Sequence, residues 1–185
     1  DPDRLRSARL RDDDWPKLGD AVGRLSARKI WIEDRAGPSI AEVRAMALWH
    51  QAQHGFKLLV VDYLQLLRGV NRRDGREQEI AQISRGCKAI AKECGIAILA
   101  LSQLNRGVEA RDDKRPRLSD LRESGAIEQD ADAVMFLFRP SYYARDKPDD
   151  GETELIVSKN RTGRTGTVPL HWDARRTAFR SVAKR

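Results

Sequence analysis

One stretch constrains this chain more than any other. Leu58, Leu59, Val60 and Val61 run straight into Asp62, and Tyr63, Leu64, Gln65, Leu66 and Leu67 follow. Four apolar residues, two of them β-branched, predict a strand buried on both faces. Asp62 then stands where that strand leaves the core. Open parallel sheets take their ligands outside the carboxyl ends of the strands. A carboxylate at that point is placed to hold a divalent cation.

The rest of the chain supplies the sheet that such a strand requires. Residues 96–101 form a second apolar run that ends in Ser102 and Gln103, and residues 133–138 form a third that ends at Arg139 and Pro140. Between the first two, Ile80, Ile83, Cys87, Ile90 and Cys94 recur at helical spacing, and Gly95 follows as the natural residue to end the helix. Upstream, a helix is predicted over residues 14–25, with Asp12, Asp13 and Asp14 as cap candidates. The alternation at residues 29–33 predicts a short strand. Ser39 and Glu42 have capping-box spacing ahead of Val43, Met46 and Ala47, and that helix is expected to end at Gly55. Residues 68–76 and 105–119 are polar, without apolar periodicity, and read as loops. Residues 152–158 and 165–172 flank a glycine-containing turn and read as a hairpin. The expected fold class is α/β: a mainly parallel sheet, helices on both faces and an antiparallel hairpin at the edge. At 185 residues the chain is long enough for one domain with a sizeable core.

Charge narrows the partners. The net charge is +7, which favours a polyanion, with nucleic acid ahead of membrane. A merely basic surface is the bland alternative. Cys87 and Cys94 lie roughly 10 Å apart along one helix, beyond disulfide reach, and read as core thiols in a reducing compartment. No apolar run approaches a membrane span and no signal peptide opens the chain, so a cytoplasmic location is expected.

Four sets of residues carry chemistry. Asp62 and Gln103 end successive strands; a carboxylate can hold Mg2+ and its water shell, and an amide can reach a γ-phosphate or its attacking water. Arg122, Glu123 and Gly125 mix charge with a glycine and can contact a phosphodiester chain, although their composition alone reads more simply as a solvated turn. Lys159, Arg161 and Arg164 place three cations in the hairpin turn. They suit an arginine offered to a neighbouring subunit, contact with nucleic acid, or simply protection of an edge strand. His50 and His54 have zinc spacing but lack the glutamate of H-E-x-x-H and a third ligand, so metal binding is not expected there.

Three stretches and their sequel resemble the motor domain of bacterial replicative hexameric helicases, the DnaB family. They are Leu59-Val60-Val61-Asp62-Tyr63-Leu64-Gln65-Leu66, Glu79-Ile80-Ala81-Gln82-Ile83-Ser84-Arg85 and Ala100-Leu101-Ser102-Gln103-Leu104-Asn105-Arg106. Lys114-Arg115-Pro116, Ser119-Asp120-Leu121-Arg122-Glu123-Ser124-Gly125 and Ile127-Glu128-Gln129-Asp130-Ala131-Asp132 continue the likeness. It implies a RecA-like P-loop NTPase core, a homohexameric ring around single-stranded DNA, and ATP with Mg2+ between subunits. By resemblance, Asp62 is the Walker B aspartate, Gln103 senses the γ-phosphate, and Arg161 is the arginine finger with Lys159 beside it. Arg122, Glu123 and Gly125 match the loop that grips the DNA backbone, which displaces the solvated-turn reading.

The match covers roughly the last two-thirds of that domain, and residues 1–185 are expected to be one partial RecA-like domain. The G-x-x-x-x-G-K-[ST] motif and the strand before it are absent from these residues. The chain alone is therefore expected neither to bind ATP tightly nor to hydrolyse it. Primase and a helicase loader are expected partners of the full-length protein. An ATPase-deficient module that binds single-stranded DNA or protein, and a RecA-type recombinase or regulatory ATPase, are the competing readings.

Overall fold

The computed structural model describes residues 2–69, 75–143 and 149–182, with the side chains of residues 2, 3 and 122–124 left out of the description. In chain order the helices are α1 (Pro2–Arg6), α2 (Asp14–Ser26), α3 (Ile40–His54), α4 (Arg76–Cys94), α5 (Gly125–Asp130) and α6 (Pro140–Tyr143). The strands are β1 (Leu58–Val61), β2 (Ala97–Ala100), β3 (Ala133–Phe138), β4 (Glu152–Asn160), β5 (Gly166–Asp173) and β6 (Ala178–Ser181). Short 3-10 segments cover Leu64–Leu66, Arg106–Ala110 and Leu118–Ser124. The chain divides into two compact units, one built mainly from residues 35–138 and 154–168, the other from residues 1–34, 139–153 and 169–185.

The larger unit contains every candidate site residue. Its helix α3 starts as the sequence predicts. Ser39 Oγ accepts the Glu42 N–H at 3.2 Å, the Glu42 carboxylate accepts the Ser39 N–H at 2.7 Å, and Gly55 closes the helix with φ 64°. Ile40 N–H donates to the Arg68 carbonyl and Arg68 N–H to the Pro38 carbonyl, each at 3.0 Å, which fastens the start of α3 to the chain leaving β1. Helix α4 buries Ile80, Ile83, Cys87, Ile90 and Cys94, the stripe read from its periodicity. Gly95 ends it at φ 62°. Gly86 sits where a Cβ would stand 2.2 Å from Ile40 Cγ1, so the absence of a side chain sets how closely α3 and α4 approach. Ile40, Val43, Ala47, Val61 and Leu64 complete this core.

Strands β1 and β2 pair in parallel, with Leu58 opposite Ala97 and Val61 opposite Ala100. The side carrying Val61, Leu59 and Ile98 packs into the α3–α4 core. The sequence predicts burial of β1 on both faces, yet Leu58, Val60 and Leu99 are exposed on the opposite side. Among the described residues, the helices packed on this pair cover one face and the other is open. The antiparallel part is larger than an edge hairpin. Within the larger unit its order is β3-β4-β5, and in the smaller unit β5 pairs with β6.

The sequence places a strand at residues 29–33, and the structure has none there; Ile32 is 86% exposed. Alternation creates a strand-like face, but a strand also needs a β-ladder with a neighbouring strand, and no strand among the described residues pairs with this segment. Residues 105–119 are not featureless. Asn105 Oδ1 accepts the Gly107 N–H at 3.0 Å to start a 3-10 turn that buries Val108. Part of the loop expected at residues 68–76, residues 70–74, lies outside the described residues. Both cysteines are unpaired and buried. No helix among the described residues is long and apolar enough to cross a membrane.

Candidate nucleotide and nucleic-acid site

The parallel register of β1 and β2 brings their exits to one edge of the sheet. Leu101 N–H donates to the Val61 carbonyl and Leu64 N–H to the Leu101 carbonyl, both at 2.9 Å, so pairing continues past the last strand residues. Asp62 follows Val61 on one strand and Gln103 lies just beyond Leu101 on the next. Both are exposed at this edge.

A third side chain, the Gln65 amide, ties the two exits together, and sequence reasoning missed it. Gln65 Nε2 donates to Ser102 Oγ at 3.0 Å, and Gln65 Oε1 accepts the Gln103 N–H at 3.2 Å. Arg76 at the start of α4 donates in turn to the Gln65 carbonyl at 2.8 Å. The backbone at Gln103 is thus held against the turn that carries Asp62. The available signal was Gln65 itself, one amide inside an apolar run whose neighbour Leu64 is 2% exposed. A polar group in such company needs partners.

One exposed carboxylate at a strand exit is a poor cage for a bare cation. It suits Mg2+, which keeps several waters and takes its remaining ligands from phosphates. No cluster of three His, Cys, Asp or Glu residues able to hold a metal occurs among the described residues. His50 and His54 instead form an aromatic group with Trp49, their rings 5.7 Å apart.

Arg122 and Glu123 lie in the 3-10 segment Leu118–Ser124, and Gly125 opens α5 with φ −51° and ψ −26°. Gly125 is therefore helical, and its φ does not require a glycine. Sequence reasoning also missed what anchors this segment. Asp120, 8% exposed, takes Arg111 Nη1 and Nη2 on its two carboxylate oxygens at 2.9 Å each, and accepts the Arg117 N–H at 2.7 Å. Its carbonyl accepts the Asn105 N–H at 3.0 Å. Asn105 is two residues past Gln103, and Asp120 two before Arg122. A small cavity of about 80 Å³ lies here, lined by Gln65, Gln103, Asp120 and Leu121 among others.

Lys159 and Arg161 do not project from a bare hairpin tip. Lys159, paired across the sheet with Val134, donates Nζ to the carbonyls of Glu128 and Gln129. Arg161 Nη2 reaches the Gln129 carbonyl at 2.5 Å and Nη1 reaches Asp132 at 3.3 Å. The Arg161 N–H donates to the Asp132 carbonyl at 2.8 Å. Lys88 of α4 also binds Asp132, at 2.5 Å, and this ammonium is the main reason its carboxyl is held below the usual aspartate range. The turn closes over Asn160: its Oδ1 accepts the Thr162 N–H, and a Cβ on Gly163 would meet its Nδ2 at 2.6 Å. The structure thus groups Asp62 with Gln103, and Lys159 with Arg161, at two separate places in this unit.

The sequence model of the DnaB-like helicase C-terminal domain family matches residues 1–181. The replicative DNA helicase DnaC of Bacillus subtilis is 44% identical over 98% of this chain, and the replicative DNA helicase DnaB of Geobacillus stearothermophilus is 43% identical over the same share. The chain spans 40% of the length of each of these relatives. Among solved structures, one ATPase domain superposes with a TM-score of 0.92 at 39% identity, over 98% of this chain and 65% of its own. A DnaB-like replicative helicase whose interactions with primase were described superposes at 0.91, also at 39% identity, over 44% of its own chain.

Proposed function

The chain belongs to the DnaB-like helicase C-terminal domain family, and from that premise we propose that residues 1–185 are the later part of one RecA-like motor domain in an ATP-dependent replicative DNA helicase. The observation that carries this reading is the shared sheet edge of Asp62 and Gln103, braced by Gln65. The motor is a homohexamer that encircles single-stranded DNA in the cytoplasm at the replication fork. Primase and a helicase loader are partners of the full-length protein, which also carries the phosphate-cradling loop.

Phosphoryl transfer asks a protein mainly for positioning and charge neutralisation. Mg2+ bound with ATP neutralises the phosphate oxygens between which charge moves. Asp62 would hold that ion, directly or through its water shell. The Gln103 side-chain amide orients the γ-phosphate or the attacking water, and Gln65 fixes the backbone from which it extends. Lys159 and Arg161 serve the site of a neighbouring subunit, where their charge counts most in the transition state. Arg122, Glu123 and Gly125 hold the DNA backbone, a sequence-independent grip suited to translocation.

The test uses the complete protein. Asp62→Asn removes metal affinity and leaves core packing alone, so ATP turnover should be abolished in a folded ring. Arg161→Ala should lose turnover by about 10³-fold while still binding nucleotide, the scale known for arginines acting in trans. Mixed rings of the two variants should regain hydrolysis at interfaces that pair an intact Asp62 with an intact Arg161. Near-normal turnover by Asp62→Asn alone would end the metal assignment. Mixed rings that stay inactive, with linked subunits also unrescued, would end the trans assignment.

A further inference from the structure

Helix α5 touches both halves of the proposed machinery. Its first residue, Gly125, belongs to the DNA-gripping segment, and the carbonyls of its last turn receive Lys159 and Arg161. A helix leaves its last four carbonyls without partners inside the helix, and cations are favoured there. At 1.5 Å per residue the six residues of α5 span about 9 Å. Over so short a length the hydrogen-bonded backbone acts as a rigid rod.

The rod is seated firmly. Ile127 packs against both apolar cores of this unit. Ser84 Oγ of α4 donates to Asp130 at 2.8 Å. Just past the helix, Asp132 is shared: one oxygen takes Lys88 of α4 and the other takes Arg161. The Arg161 and Asp132 side chains are 49% and 66% exposed, so this ion pair adds little to stability. Its effect is directional. It keeps the guanidinium on the end of α5, while an arginine with five donors retains others for a further acceptor besides Gln129 and Asp132.

We propose that α5 is the rigid link between the DNA-gripping segment and the trans-acting cations, and that Asp132 is the positioning residue that keeps Arg161 on that link. Because α5 is seated on α4 and on both cores, DNA held at residues 122–125 carries Lys159 and Arg161 with it as one body relative to a neighbour's nucleotide. The inference rests on the motor reading above and assigns to one helix the coupling that such a motor requires.

The experiment measures ATP turnover of the complete protein with and without single-stranded DNA, and reads the ratio. Asp132→Ala is expected to lower that stimulation ratio about fivefold, the scale of one oriented, exposed ion pair, with DNA affinity and nucleotide KM unchanged. Asp132→Glu should restore most of the ratio, and Lys88→Ala should lower it in the same direction as Asp132→Ala. A merely structural Asp132 would depress turnover equally with and without DNA; an unchanged ratio therefore overturns the link. Arg161→Ala is the control that separates the two levels. If it is inactive while the Asp132→Ala ratio is unchanged, only the link fails. If it hydrolyses ATP normally, the reading of Arg161 fails and the link with it.

Discussion

Asp120→Asn tests whether the segment before Arg122 is built or merely solvated. The carboxylate accepts two guanidinium hydrogen bonds from Arg111 and the Arg117 N–H, and its side chain is 9% exposed. An asparagine keeps the shape but turns an NH2 toward the Arg111 fork, so one of three acceptor contacts is lost and the other two lose their charge. A net hydrogen bond to a charged group contributes about 1.5–3 kcal/mol, and Arg111, 29% exposed, recovers part of that from water. A local cost of about 2 kcal/mol follows, or about 30-fold in an opening equilibrium. Native-state amide exchange reads it directly. The Arg117 and Asn105 amides, one bonded to the Asp120 side chain and the other to its carbonyl, should exchange about 30-fold faster. The buried amides of α4 at Ile83 and Ile90 should keep their protection, because α4 belongs to a separate core. Unchanged exchange at Arg117 would show that the Arg111–Asp120 pair holds nothing, and the segment would revert to a solvated turn.

Two further outcomes are expected. Arg122→Ala in the complete protein should weaken single-stranded DNA binding about equally across sequences and reduce the salt slope by roughly one contact; a salt titration that gives the parent slope would remove Arg122 from the interface. Burial pushes the Cys87 thiol up to about 11, so at pH 8 only about one molecule in a thousand carries the reactive thiolate. Iodoacetamide should therefore spare Cys87 in the native protein and modify it once α4 unfolds, and rapid native labelling at pH 8 would contradict its place in the core.

What the sequence disclosed follows from the range of the interactions involved. The α4 stripe and the caps at Ser39, Gly55 and Gly95 are local, set by spacing within a turn or two, and all are found as read. Asp62 and Gln103 are legible because a strand exit is marked by where an apolar run stops. Gln65, Asp120 and Asp132 do not stand out, because their side-chain partners Ser102, Arg111 and Arg161 lie 37, 9 and 29 residues away. Nothing in a short window distinguishes such residues from solvated polar ones. The same limit explains residues 29–33, whose alternation is real but whose strand depends on a neighbour supplied by tertiary structure. Lys159 and Arg161 read as tip residues from a glycine-containing turn; their attachment to α5 depends on how β4 lies along β3, which only the register reveals.

The open side of the β1–β2 pair bears on the choice between a motor component and a free-standing binding module. Leu58 is 54% exposed, Val60 51% and Leu99 47%, and the strand pairing puts all three on one face. Strand β3 repeats the pattern, with Val134, Phe136 and Phe138 buried and Met135 and Leu137 half exposed. Contiguous exposed aliphatic surface on a sheet marks a place where other protein packs. A module that bound only DNA would gain nothing from it, since phosphate contacts need cations rather than leucines, whereas a protein-binding module would use such a face as a motor component does. Among the described residues β2 pairs only with β1, and β3 only with β4, so each also presents an unpaired edge. Either edge can take a further strand. In the RecA-like reading that strand leads into the phosphate-cradling loop and would set it beside the exits that carry Asp62 and Gln103. On that reading the apolar face and the polar edge would have one explanation: both would belong to a nucleotide site completed by packing against this sheet.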